Sequence, residues 1–154
     1  MSLAKDQSQV ENSARYEEDI YSWASEQGRH LRQLRPTGLD WENVAEEIES
    51  LGSEQLHALE SCYTLLIYHL LKWQFQPERR SRSWQLTINN SRRQIRRREA
   101  RNKSLAARSW KIVEEVYGDA ISDASLETGL PILTFPEICP YTLDQLRDRD
   151  FLPE

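Results

Sequence analysis

Cysteine, glycine and proline are all scarce in this sequence, and each shortage excludes a class of protein. The 154 residues include two cysteines, five glycines and six prolines. Cys62 and Cys139 lie 77 positions apart without a CxxC spacing, so neither a disulfide framework nor a zinc site is predicted. The low glycine and proline content argues against collagen-like, linker-rich and turn-dense all-β chains. No metal and no cofactor are predicted.

Long apolar runs are missing as well. No stretch of about 18 apolar residues is present to span a bilayer, so no membrane partner is predicted. The first residues are polar and lack the apolar core of a secretory signal, which predicts a cytoplasmic protein. Hydrophobic residues make up 38% and aromatic residues 9% of the chain. This composition and length predict one folded domain over residues 14–154, preceded by a disordered N-terminus at residues 1–13.

The net charge of -5 hides an uneven distribution of charge. Residues 72–111 carry 13 Lys and Arg against two Asp and Glu, whereas the rest of the chain carries seven against 23. A strongly basic segment therefore interrupts an acidic protein. Such asymmetry bears on binding partners and not on fold.

Apolar residues recur with helical periodicity over most of the chain. Pro36 and a stop at Gly52-Ser53 bound the second helix, and Gly129 ends the last long one. A capping box at Thr142 and Gln145 predicts one further short helix, residues 143–147. The long helices are predicted at residues 14–34, 41–51, 54–75, 84–101 and 105–127. We expect an all-α, single-domain antiparallel bundle of about five helices, with a proline-rich, mostly irregular tail, residues 130–154, packed on it.

The basic segment contains a row of arginines on one helix. Arg93, Arg97 and Arg101 follow an i, i+4, i+8 spacing, in which like charges repel, so this helix needs anions nearby. Two sources stay open. The acidic flanking segments favour carboxylates of the same chain, such as Glu47 and Glu49 or Glu114 and Glu115. The alternative is phosphates of a nucleic acid. Further candidate anion-binding residues are Arg79, Arg80 and Arg82, which lie between Trp73 and Trp84. This interleaving suits stacked single strands, but the helical register of both tryptophans places them on the apolar stripes and favours the core.

His69 is the one weak catalytic candidate among the histidines. Its register places it inside the buried arc of the central helix, near Cys62, Leu65 and Trp73. A buried histidine either forms hydrogen bonds or loses its charge, and histidine is a common general acid or base. A core histidine with satisfied hydrogen bonds is the leading interpretation. An enzyme would need a partner carboxylate such as Glu47.

Five ordered motifs together resemble the bacterial family catalogued as domain of unknown function twenty-nine, which is abundant in cyanobacteria. They are residues 16–23 (YEEDIYSW), 39–52 (LDWENVAEEIESLG), 69–73 (HLLKW), 76–84 (QPERRSRSW) and 135–143 (FPEICPYTL). The resemblance implies a small α-helical protein and carries no established activity. It singles out Trp23, Asp40, Glu46, Glu47, His69, Lys72, Trp73, Arg79, Arg82 and Trp84.

The leading functional hypothesis is an interaction or regulatory module, with a second copy of the chain or another protein as its partner. The first alternative is binding of nucleic acid or another polyanion through Arg79 to Arg101. The second alternative is an uncharacterised enzyme that uses His69.

Overall fold

The computed structural model describes residues 15–35 and 37–154. The predicted disordered segment, residues 1–13, and the proline expected to end the first helix lie outside these ranges. The described residues form helices and no β-strand, apart from one isolated bridge between Asp19 and Asn102. The α-helices are α1 (Ile20–Leu34), α2 (Trp41–Phe75), α3 (Arg82–Ala100), α4 (Lys103–Ala107), α5 (Ser109–Thr128) and α6 (Leu143–Arg147). The all-α prediction is confirmed.

The described residues group into two compact units. One contains the residues up to Ala58 together with Arg98–Ala107, and the other contains Leu59–Arg97 and Arg108–Glu154. The single domain expected over residues 14–154 stays a prediction. None of the helices in the described ranges has both the length and the apolar character needed to cross a bilayer.

In the first unit, one carboxylate serves the start of two helices. Asp19 Oδ1 accepts a hydrogen bond from the Ser22 amide at 2.9 Å, and Asp19 Oδ2 accepts one from the Ser104 amide at 2.7 Å. Side-chain oxygens at these positions satisfy amide groups that have no partner within the helix. Residues 15–18 are helical too, so the first predicted helix is interrupted at Asp19 before α1 begins.

The predicted stop at Gly52-Ser53 is wrong, because α2 continues through it as one helix of 35 residues. A Cβ atom at Gly52 would lie 3.2 Å from the Tyr21 carbonyl oxygen and 3.4 Å from the Ala24 Cβ. The glycine therefore allows α1 and α2 to pack closely, at the usual helix-propensity cost of about 1 kcal/mol. A glycine within a helical pattern can therefore mark either the end of a helix or a close contact between two helices.

The helix predicted over residues 105–127 also differs from the one in the structure. It divides into α4 and α5, which are separated at Arg108. The end of the helix is as predicted. Gly129 has a left-handed φ of 72°, and its amide donates a hydrogen bond to the Ser125 carbonyl. Glycine adopts this conformation without the steric cost that a side chain brings.

The core of the second unit is built from the C-terminal half of α2 and from α3 and α5. Fully or nearly fully buried residues from these helices are Leu59, Tyr63, Leu66, Ile67, Leu70, Leu71, Ile88, Ile95, Ile112 and Ala120. The residues after Gly129 contact these helices through polar side chains. Tyr141 donates to the Gln74 side-chain oxygen at 2.8 Å, and Tyr117 donates to the Pro136 carbonyl at 2.8 Å. Both bonds of the predicted capping box at the start of α6 are present.

Candidate functional site

The exposed side of α3 carries arginines that form no salt bridge with a described carboxylate. We call this surface the arginine face, and its exposed members are Arg82, Gln85, Leu86, Asn89, Asn90, Arg93, Arg96 and Arg97. Arg93 donates to the Asn90 side-chain oxygen at 2.7 Å. None of the four arginines forms a salt bridge with any described residue. The sequence has no Asp or Glu between Glu78 and Glu99, so α3 offers no carboxylate of its own in this stretch.

Two of the four carboxylates suggested by the sequence as internal partners, Glu49 and Glu115, pair with other residues. In the first unit, Glu49 accepts two hydrogen bonds from Arg32, at 3.0 and 3.1 Å. In the second unit, Glu115 lies 3.8 Å from Lys111. Within the part of the chain that the structure describes, internal neutralisation of Arg93 and Arg97 is therefore not observed.

The other candidate anion-binding residues have different surroundings. Arg79 and Arg82 are exposed, and Arg101, which follows α3, is exposed in the first unit. Arg80 donates from Nε to the Trp73 carbonyl at 2.9 Å, and its guanidinium lies 5.3 Å from the centre of the Trp73 ring. Arg80 is therefore engaged within the chain, whereas the other three remain candidates.

Arg92, next to Arg93, points the opposite way. It is 5% exposed, and its guanidinium donates to the carbonyls of Gln145, Leu146 and Arg149 at 3.2, 3.0 and 3.4 Å. Burial lowers the pKa of Arg92, and the nearby carboxylates of Asp148 and Asp150 oppose that shift. Arg92 thus holds the chain around α6 in place and is not available to a ligand.

Lys72 forms a second polar site, in the core of the second unit. It is 2% exposed, and its Nζ donates to Glu127 Oε1 at 2.8 Å. The ammonium lies 4.4 Å from the centre of the Trp84 ring, and Tyr68 donates to Glu127 Oε2 at 2.8 Å. The Lys72 hydrogen bond, followed by that from Tyr68, lowers the pKa of Glu127. Burial raises the pKa of Tyr68 to about 12.

The sequence indicated Lys72 as a member of this polar site but did not indicate its partner Glu127. Lys72 stands out as a charge within an apolar run of α2. Glu127 lies 55 positions further along the chain, and no local pattern pairs the two. Trp84 contacts the Lys72 ammonium, and Trp73 contacts the Arg80 guanidinium. Trp73 and Trp84 are therefore both engaged by cations of the same chain.

His69 is buried, as its register predicted, with 7% exposure. Its Nδ1 lies 2.9 Å from the Leu65 carbonyl oxygen, and a carbonyl only accepts, so Nδ1 carries the proton. Glu47 lies in the other unit, about six helical turns before His69 along α2. The two members of this candidate acid–base pair therefore belong to different units.

The environment of His69 predicts a pH effect on stability. Burial lowers its pKa from the ordinary value of 6.5, so the unfolded chain binds a proton that the folded protein resists. This contribution to stability is fully present above about pH 6.5 and is lost as the pH falls below that value. We expect His69→Asn, which keeps a donor near Nδ1, to flatten the loss of unfolding free energy between neutral and mildly acidic pH. Urea unfolding at several pH values measures this dependence. If the unfolding free energy of H69N falls with pH as steeply as that of the wild type, the assignment is wrong.

A cleft of about 670 Å³ lies between α2 and α5 in the second unit. Leu65, Tyr68 and Val116 supply its apolar and aromatic lining, and its carboxylates are Glu60, Asp119 and Asp123. We call this feature the acidic cleft. His69 does not line it, which leaves the histidine without access to a bound substrate there. No group of three or more His, Cys, Asp or Glu among the described residues could hold a metal ion.

The carboxylates of α5 form a row at i, i+4 spacing: Glu115, Asp119, Asp123 and Glu127. The two ends of the row are neutralised, Glu115 by Lys111 and Glu127 by Lys72. The two middle members, Asp119 and Asp123, are exposed and have no salt bridge with a described residue. The second unit thus presents two carboxylates, one helical turn apart, and a row of arginines, none of which is neutralised by a described residue.

Comparisons with known proteins give a similar fold and a family for the chain, but no function. The fold is similar to the crystal structure of an α-helical protein of unknown function from Rhodospirillum rubrum, with a TM-score of 0.68 and 23% sequence identity. The similarity covers 88% of this chain and 90% of that one. No curated protein matches the chain. The family model described as domain of unknown function DUF29 matches residues 15–152, and the chain therefore belongs to that family.

Proposed function

We propose that this protein is an interaction module that binds an acidic surface of a protein through the arginine face of α3. The observation that carries the proposal is a row of exposed arginines, with an exposed leucine among them, that form no salt bridge within the described ranges of the chain. Arginine is enriched in protein interfaces and in the residues that dominate their binding energy. Its planar guanidinium forms two parallel hydrogen bonds to a carboxylate.

Leu86 favours a protein as the partner. Its side chain is 63% exposed, and it lies one helical turn after Arg82 and two turns before Arg93 on the same side of α3. An apolar residue surrounded by cations gains little from a phosphate backbone. In a protein interface it would enter an apolar pocket while the arginines pair with carboxylates at the rim.

Nucleic-acid binding is a second candidate, supported by the length of the row. Arg82 and Arg97 are separated by a helical rise of about 22 Å, which corresponds to roughly six base steps of a duplex at about 3.4 Å each. Stacking of single strands is less well supported, because Trp73 and Trp84 already contact cations of the same chain.

The test uses two fluorescent probes, a helical peptide rich in Glu and Leu and a duplex DNA of similar length, in anisotropy titrations at low salt. R93Q/R97Q should weaken peptide binding roughly fivefold to tenfold, as expected for the loss of two exposed ion pairs. The matched control K103Q/K111Q removes the same charge from lysines that already pair with Glu18 and Glu115. This control should bind the peptide like the wild type.

Leu86→Gln separates the two candidate partners. It should weaken binding of the peptide and leave binding of the duplex unchanged. If the wild type prefers the duplex and L86Q binds both probes like the wild type, the ligand is a nucleic acid and the proposal is wrong. If neither probe binds at low salt, neither candidate survives.

A further inference from the structure

The second unit carries two surfaces that complement each other. The arginine face presents cations around an exposed leucine, and the acidic cleft presents carboxylates around an apolar lining. We infer that the partner of the arginine face is the acidic cleft of a second copy of this chain. This inference rests on the proposed function and names its partner.

The charges match in sign and in spacing. Arg93 and Arg97 are one i, i+4 step apart on α3, and Asp119 and Asp123 are one such step apart on α5. Both steps correspond to a helical rise of about 6 Å, so two helices that lie side by side can form both ion pairs at once. Because like charges at this spacing destabilise a helix, docking relieves repulsion within each row.

The apolar groups match as well. Leu65 is 39% exposed, and it lines the cleft together with Val116 and the ring of Tyr68. Leu86 projects from the arginine face and is 63% exposed. Docking Leu86 against this lining removes apolar surface from water, which ion pairs alone would not do.

The contact joins two different surfaces, so it is a head-to-tail contact. A docked pair leaves one arginine face and one acidic cleft open. Association therefore continues into a closed ring if the rotation between copies closes, and into an open chain if it does not. Exposed ion pairs are individually weak and screened by salt. We expect self-association that depends on concentration and is reversed by moderate salt.

The experiment neutralises one surface at a time in the full-length protein. R93Q/R97Q lacks the two cations proposed to pair but keeps the acidic cleft, and D119N/D123N lacks the two carboxylates proposed to pair but keeps the arginine face. All four side chains are exposed, so both variants should fold, which circular dichroism checks. Sedimentation velocity at low salt measures the mass of the wild type, of each variant, and of an equimolar mixture of the two variants.

The wild type should exceed the monomer mass, and each variant alone should be monomeric. The mixture should form a complex with one copy of each variant and no larger species, because only one complementary pair of surfaces remains. A control mixture of L86Q/R93Q/R97Q with D119N/D123N should form the same complex, because L86Q/R93Q/R97Q contributes only its acidic cleft. Introducing Leu86→Gln into D119N/D123N should weaken the complex severalfold.

Three results would overturn the inference. The first is a wild type that stays monomeric at low salt at every concentration. The second is a mixture without the mixed complex, and the third is self-association of either variant alone. If the wild type is monomeric but its arginine face binds the acidic peptide, the interaction function stands and the partner is another acidic protein. If the peptide does not bind either, the proposed function fails as well.

Discussion

Replacing Glu127 by alanine should destabilise the protein far more than replacing Lys72 by methionine. The asymmetry follows from burial, because the side chain of Lys72 is 2% exposed and that of Glu127 is 52% exposed. Without Glu127, the ammonium stays in the core with only the rings of Trp84 and Tyr68 beside it. Without Lys72, water can solvate the carboxylate and methionine fills the volume of the lost side chain.

A buried charge that loses its partner typically costs about 3–5 kcal/mol. Because water can approach through the half-exposed Glu127 position, we expect E127A to lose about 2–3 kcal/mol of unfolding free energy. K72M should cost less than about 1.5 kcal/mol, as replacements that conserve core volume usually do. The double variant K72M/E127A should resemble K72M, because it contains no buried ammonium that needs a partner.

Urea unfolding at neutral pH measures all three variants. Glu115→Ala is the matched control, because Glu115 lies on the same helix and its partner Lys111 is exposed. The control should lose no more than about 1 kcal/mol. Equal losses for E127A and K72M, or a larger loss for K72M, would contradict the role assigned to the buried ammonium.

The second large effect concerns Arg92. Arg92→Lys keeps the charge, but an ammonium cannot reach the carbonyls of Gln145, Leu146 and Arg149 with the geometry of a guanidinium. Carbonyl oxygens that lose a buried donor cost about 1–3 kcal/mol each when water cannot replace it. We expect R92K to lose about 2–3 kcal/mol overall, because part of this region is open to water.

The loss should be concentrated near α6. Hydrogen exchange should accelerate at the amides of Leu146 and Asp148, whose helical hydrogen bonds depend on this segment staying in place. Arg96→Lys, one turn further along α3 and exposed, is the control and should stay within about 0.5 kcal/mol of the wild type. An R92K variant with wild-type stability and exchange would show that the three hydrogen bonds contribute little.

Local signals in the sequence predicted local features of the fold. The capping box at Thr142 and Gln145 and the end of α5 at Gly129 depend on residues within a few positions of each other, and both are present as predicted. The register of α2 likewise placed His69 in the core. Features of this kind need no knowledge of distant parts of the chain.

Features that depend on distant contacts could not be predicted in this way. Gly52 lies inside α2 because Tyr21 and Ala24 of α1 approach it, and no local pattern distinguishes that role from a helix end. Arg92 and Arg96 occupy the same row, but only Arg92 meets carbonyls of the C-terminal region. The pairing of Lys72 with Glu127 likewise depends on how α2 packs against α5.

Arg93 and Arg97 are available to a partner if, as among the described residues, no carboxylate of the chain neutralises them. The unfolding free energy of R93Q/R97Q, measured at low salt and at a protein concentration at which the wild type is monomeric, tests this directly, because self-association would otherwise add to the stability of the wild type. If the arginines are available, removing two like charges should leave stability unchanged or raise it by a few tenths of a kcal/mol. A loss of more than about 1 kcal/mol would show that the arginines stabilise the fold through internal partners, and would contradict the account.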